Sequence, residues 1–186
     1  MQALSHSLVL SFLDDLYLIT TRERARAAID EVTQTIEHHC GVQSHMGKLR
    51  AWCLGGGPAP PGLAAFGPDV WTADLPEHLN GIMVLGTPLG RPEYVRQRGV
   101  SRMEEERSLL ARLPGLPDTQ CAWLLLLLSG VPRANHLLRI VLPSLIAEYA
   151  RDHDDAVWNI FCDLLGAASL RETMPRPGLW RRCLRV

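Results

Sequence analysis

Ser11-Phe12-Leu13-Asp14-Asp15-Leu16-Tyr17-Leu18-Ile19-Thr20 sets two adjacent aspartates between two apolar runs, with Leu8-Val9-Leu10 leading in. Alternation and the aromatic and β-branched content predict a strand on each side, Leu8–Phe12 and Leu16–Thr20. Asp-Asp at the join suits a tight turn, because aspartate side chains bond their own backbone. Such a hairpin carries two carboxylates at its tip. They are hard oxygen ligands of the kind Mg²⁺ takes, and nucleotidyl transfer uses that ion. An ordinary solvated turn is the competing reading of the same two residues.

The features that follow come in a definite order. Thr20-Thr21-Arg22-Glu23 has the form of a capping box opening a helix. Ile29, Val32 and Ile36 then recur at spacings of three and four, the stripe of a helix lying on a sheet. His38-His39-Cys40-Gly41 closes it, with glycine as the C-terminal stop. Gly47-Lys48-Leu49-Arg50-Ala51-Trp52 comes next, then a long loop, then Gly81-Ile82-Met83-Val84-Leu85-Gly86-Thr87-Pro88-Leu89-Gly90.

This succession resembles the C-terminal half of the palm in reverse transcriptases of non-LTR retrotransposons. Asp14-Asp15 is similar to the Asp-Asp box of motif C, and Gly47-Lys48 to motif D, with Leu49 where threonine is usual. Val84-Leu85-Gly86 is similar to the motif E hairpin, the primer grip. The resemblance runs by motif from about Leu8 to Leu89. It implies a small antiparallel palm-type sheet with a covering helix, followed by helices in the place of a thumb. It further implies that Asp14 and Asp15 are metal-binding catalytic carboxylates for Mg²⁺ and that Lys48 faces the incoming triphosphate. A surface lysine beside a strand is the plain alternative for Lys48, the only lysine in the chain.

A chain of 186 residues with 47% hydrophobic content is long enough for one good core or two small ones. Net charge is −1, so no global basic field advertises nucleic-acid binding. Five cysteines without a C-x-x-C pair, and no leader-like stretch at the start, predict reduced thiols in an intracellular protein, cytoplasmic or nuclear. The apolar run Cys121–Leu128 is too short to span a bilayer and predicts a core helix, with no membrane partner.

Residues 54–79, with Gly55-Gly56-Gly57-Pro58-Ala59-Pro60-Pro61-Gly62, predict an irregular loop inserted between two palm strands. Helical patterns follow over Glu93–Leu113, Asp118–Ser129, Pro132–Leu142 and Pro143–Leu165. The first carries Arg96, Arg98 and Arg102, the candidate nucleic-acid contacts. Its Gly99 weakens it by about 1 kcal/mol relative to alanine. The predicted organisation is therefore α+β: a partial palm over 1–90, a helical thumb-like region over 91–166, and an Arg-rich basic tail over 167–186 in solvent.

Two further constellations compete for attention. His38, His39, Cys40, His45 and Cys53 match no standard zinc spacing. His136, His153, Asp154 and Asp163 follow the order of helical metal-dependent phosphohydrolases, but Asp152-His153-Asp154-Asp155 also fits an exposed helical face. Two-ion transfer needs a third carboxylate, and residues 1–13 contain neither Asp nor Glu. The chain is thus expected to be a fragment or degenerate copy of a reverse transcriptase, inactive by itself. Its partners would be an RNA–DNA hybrid or primer–template, held weakly, and the missing upstream half of the polymerase. The alternative is a helical interaction protein without selected catalytic activity.

Overall fold

The computed structural model describes residues 7–166. Near its start, β1 (Leu8–Phe12) and β2 (Asp15–Ile19) pair antiparallel, with Phe12 opposite Asp15 and Leu8 opposite Ile19. That register leaves Leu13 and Asp14 as a two-residue turn. Leu13 adopts φ 53°, uncommon for a residue with a Cβ. Side chains alternate across a strand, so Leu8, Leu10 and Phe12 share a face with Tyr17 and Ile19. That face is largely exposed, Phe12 and Ile19 by 56% and 59%.

The helix α1 spans Ala25–Cys40. A capping box does not open it: Arg24 is the cap residue and makes no side-chain cap bond. A tight turn leads in instead, with the Arg24 and Ala25 amides donating to the Thr21 and Arg22 carbonyls at 3.2 and 3.3 Å. Gly41 ends the helix at φ 64°, its N–H donating to the Glu37 carbonyl at 3.0 Å.

The Gly/Pro stretch is irregular, as expected, with one 3₁₀ turn at Leu63–Phe66, but it is packed rather than loose. It supplies the apolar partner of α1: Leu63, Trp71 and Ala73 are buried, with Ala25, Ile29 and Phe66 packed on them. Two arginines hold its backbone. Arg22 donates from Nη1 to the Gly56 carbonyl at 2.7 Å and from Nη2 to the Pro58 carbonyl, and Arg26 donates to the Gly62 carbonyl at 2.9 Å. The Arg26 guanidinium also lies 4.1 Å over the Phe66 ring. Glycines at positive φ present those carbonyls, Gly62 at 83°. Gly47-Lys48 is not on a strand. Met46–Lys48 is a single 3₁₀ turn, and the only extended pairing nearby is a parallel bridge of Ala51 with Trp71.

The described residues divide into two units between Pro76 and Glu77. In the second, β3 (Gly81–Val84) and β4 (Thr87–Gly90) form another antiparallel hairpin. Leu85 and Gly86 turn it at φ 49° and 76°, the two positive values a type I′ turn requires. A Cβ at Gly81 would lie 2.3 Å from the Tyr94 ring, and one at Gly90 only 2.8 Å. The hairpin is thus seated on α2 (Pro92–Leu110) and groups with the helices, so the boundary falls at 76 rather than 90. The class is α+β, as expected, and its β part is two separate two-stranded antiparallel sheets.

The main helical contact is α2 against α5 (Pro143–Leu164). Gly99 permits it, since a Cβ there would already meet Tyr149 Cβ at 3.3 Å. Tyr94, Val95, Met103, Leu137 and Ile146 form the core around this contact, and Leu110, Leu113 and Leu126 a second cluster. Between α2 and α5 runs one continuous helical stretch, Thr119–Ile140. Asp118 caps it, accepting from the Gln120 and Cys121 amides at 2.8 and 3.1 Å. It comprises α3 (Thr119–Leu125), a π turn (Leu126–Gly130), a 3₁₀ segment (Val131–Ala134) and α4 (Asn135–Ile140).

The leucine run in this stretch is not a core helix. Ala122 and Leu126 are buried, but Leu124, Leu125, Leu127 and Leu128 are 44–69% exposed. Nor does the stretch stop at Leu128. Pro132 falls at the start of the 3₁₀ segment, where its missing N–H breaks nothing, so 22 residues run on together. By length and composition alone that is enough to cross a membrane.

Candidate nucleic-acid interface

Asp14 is the second turn residue of the first hairpin and Asp15 opens β2; both are exposed. The Tyr17 hydroxyl donates to Asp15 Oδ2 at 3.1 Å. The hairpin therefore presents two carboxylates at one end. Among the described residues no third His, Cys, Asp or Glu converges with them. Mg²⁺ would supply charge neutralisation for a triphosphate, and Asp14 and Asp15 are the right donors for it. They are too few for a two-ion site. No hydrogen bond or ion pair joins Lys48 to either aspartate. The zinc and phosphohydrolase sets do not converge either. His153 is buried and His136 is exposed, on different elements.

The cationic residues of the second unit are arranged more tightly. On a helix, positions 98 and 102 lie one turn apart on one face, whereas 96 and 98 diverge by about 200°. Arg98, Ser101 and Arg102 accordingly line one cleft of about 290 Å³. Arg96 does not share it. Arg96 pairs with Glu93 at 3.3 Å and faces a different hollow beside Arg151 and Asp152. Opposite α2, the first cleft is lined by Gly86 and Pro88 of the second hairpin and by Arg133 and His136. Gly86 leaves room for the imidazole: a Cβ there would come within 3.3 Å of His136 Nε2. Of Val84, Leu85 and Gly86, the turn likened to a primer grip, only Gly86 lines this cleft.

Each cation there is held differently. The Arg98 guanidinium lies 5.0 Å over the Tyr94 ring. Arg102 donates from Nε to Glu106 at 2.9 Å and from Nη1 to Glu105 at 3.4 Å, the local neutralisation that the spacing predicts. Arg133 has its Nε–H buried without a hydrogen-bond partner. A buried donor left unpaired is costly, and its burial leaves the terminal guanidinium nitrogens of Arg133 as those open to an acceptor.

Arg102 also ties the cleft to a buried network. Glu106 has no exposed surface. It accepts from the Tyr149 hydroxyl at 3.1 and 3.2 Å and from His153 Nδ1 at 2.9 Å. His153 Nε2 faces the Val131 carbonyl at 3.3 Å. Burial pushes the Glu106 carboxyl up, but the His153 bond and charge, the Tyr149 hydroxyl and Arg102 together outweigh it. Glu106 therefore sits below the usual carboxylate range. Burial, then the Glu106 charge, raise the Tyr149 hydroxyl well above its ordinary value.

No family model, curated protein or solved structure matches this chain. Arg133, Ser101 and His136 are the cleft residues that sequence reasoning did not assemble. Ser101 shares a face of α2 with Arg98 and Arg102, and Arg133 and His136 lie three residues apart in the Thr119–Ile140 stretch, so only packing brings the two sets together. The basic tail over 167–186 lies outside the described residues.

Proposed function

We propose that this chain is a fragment or degenerate copy of a retroelement reverse transcriptase that holds nucleic acid weakly and does not polymerise by itself. One observation carries the reading. The turn similar to a primer grip and the arginines placed in a thumb-like helix, Gly86 with Arg98 and Arg102, line a single cationic cleft. An Asp-Asp hairpin tip with both carboxylates exposed supports it, as does the order of the motifs along the chain. The two aspartates alone do not complete a two-ion site, so polymerisation is assigned to an assembly with a further carboxylate.

The test is a binding titration of the full chain with a labelled RNA–DNA hybrid, beside a primer-extension assay with Mg²⁺ and nucleotides. Weak salt-dependent binding without extension supports the reading. Extension that Asp14→Asn abolishes would overturn the inactivity while supporting the family, and no binding at any salt would overturn the whole reading. A second reading, a helical interaction protein without selected catalysis, draws on the exposed Leu124, Leu125, Leu127 and Leu128. It is favoured if the hybrid is not bound at all.

A further inference from the structure

The cationic cleft is a half-open hollow to which the second hairpin, α2 and the Val131–Ile140 segment each supply part of the lining. About 290 Å³ accommodates a phosphate with a small appendage.

We propose that this cleft holds one phosphate monoester group. Its guanidinium donors are Arg98, Arg102 and Arg133, and Ser101 and His136 supply a hydroxyl and an imidazole nitrogen. Guanidinium forks match phosphate oxygens two at a time, which a point charge does not. Among the described residues neither Arg98 nor Arg133 pairs with a carboxylate, while Arg102 is fixed in place by Glu105 and Glu106.

Shape selects the monoester. Arg102 is already neutralised by Glu105 and Glu106, so Arg98 and Arg133 are the lining guanidiniums without a carboxylate. A terminal monoester presents three free oxygens to such a fork, whereas an internal phosphodiester presents two between flanking sugars. A strand end bearing a terminal phosphate and a free mononucleotide both offer this chemistry. The strand end rests on the nucleic-acid reading above; the mononucleotide does not.

The experiment is fluorescence anisotropy on the full chain with two RNA–DNA hybrids that differ only in a 5′-phosphate or 5′-hydroxyl end. Competition with a mononucleotide and with inorganic phosphate runs alongside. The phosphorylated hybrid should bind at least about tenfold tighter, the effect of one or two charge-assisted hydrogen bonds. Arg133→Gln should abolish this preference. Arg133→Lys, which keeps the charge and loses the fork, should reduce it, and Arg96→Gln on the other side of α2 should leave it intact. Equal affinity for the two hybrids overturns this proposal while leaving hybrid binding standing. Saturable mononucleotide binding that Arg133→Gln removes, in a chain that binds neither hybrid, supports the cleft and overturns the nucleic-acid reading. No response to any phosphate probe overturns the proposal.

Discussion

Glu106 shows at the scale of one residue what the three consecutive glutamates conceal. Glu104 and Glu105 are exposed, while Glu106 is fully buried among Tyr149, His153 and Arg102. Its carboxyl is held below the ordinary value, so it contributes stability at pH values above the unfolded glutamate range. That contribution is lost as pH falls through the folded value. Glu106→Gln leaves His153 and Arg102 facing a neutral amide, and losing hydrogen bonds to a buried charged group costs about 1.5–3 kcal/mol. Urea denaturation at pH 7 should show that loss, and the gap to the parent should narrow steadily below about pH 4. A gap independent of pH would mean the carboxylate charge does not matter. Tyr149→Phe removes one donor and should lower stability by about 1 kcal/mol, with the remaining partners in place. Helical spacing alone makes Glu105 and Glu106 neighbours of Arg102, and both pair with it. That Glu106 is also sealed against α5 was not legible, because its partners lie over forty positions away.

At the scale of the element, the two hairpins share a topology but differ in support. The second is seated on α2 through Gly81 and Gly90, where no side chain fits. Gly81→Ala would press a methyl against the Tyr94 ring and the Leu89 carbonyl, 2.3 and 2.7 Å from its carbon. Overpacking of that kind costs typically about 1–3 kcal/mol, so the denaturation midpoint should fall by a corresponding amount. The first hairpin leaves Leu8, Leu10, Phe12 and Ile19 about half exposed. An isolated two-stranded hairpin is marginally stable in water. Amide hydrogen exchange should therefore be faster in Leu8–Ile19 than in Gly81–Gly90. Equal protection in both would show that the first hairpin has packing beyond its own strands.

At the scale of the whole molecule, charge is almost balanced, −1 overall, so cationic attraction is confined to local patches. Arg98 and Arg133 are without carboxylate partners among the described residues, while Arg96 and Arg102 are paired. Each neutralised phosphate adds roughly 0.9 to the slope of log affinity against log salt on duplex DNA. Anisotropy titrations with the hybrid should thus give a shallow slope of about −2 to −4, with dissociation constants of about 10⁻⁴ to 10⁻⁶ M at physiological salt. A slope near −8, or salt-insensitive binding, would contradict an interface confined to this cleft.

The chain's local chemistry determined a good deal unaided. The alternation around Asp14-Asp15, the Gly41 stop, the Leu85-Gly86 turn and the α+β class follow from side-chain period and backbone freedom. Tertiary structure decided the rest. It turned the Gly/Pro stretch into the core partner of α1, because arginine forks satisfy carbonyls that a sequence pattern leaves unassigned. Helical period alone sets Arg96 apart from Arg98 and Arg102 on α2, but tertiary packing closed the cleft with Arg133 and His136 from a later segment. And it left the leucine run outward, because hydropathy reports how much apolar surface a segment carries, while its neighbours decide how much is covered.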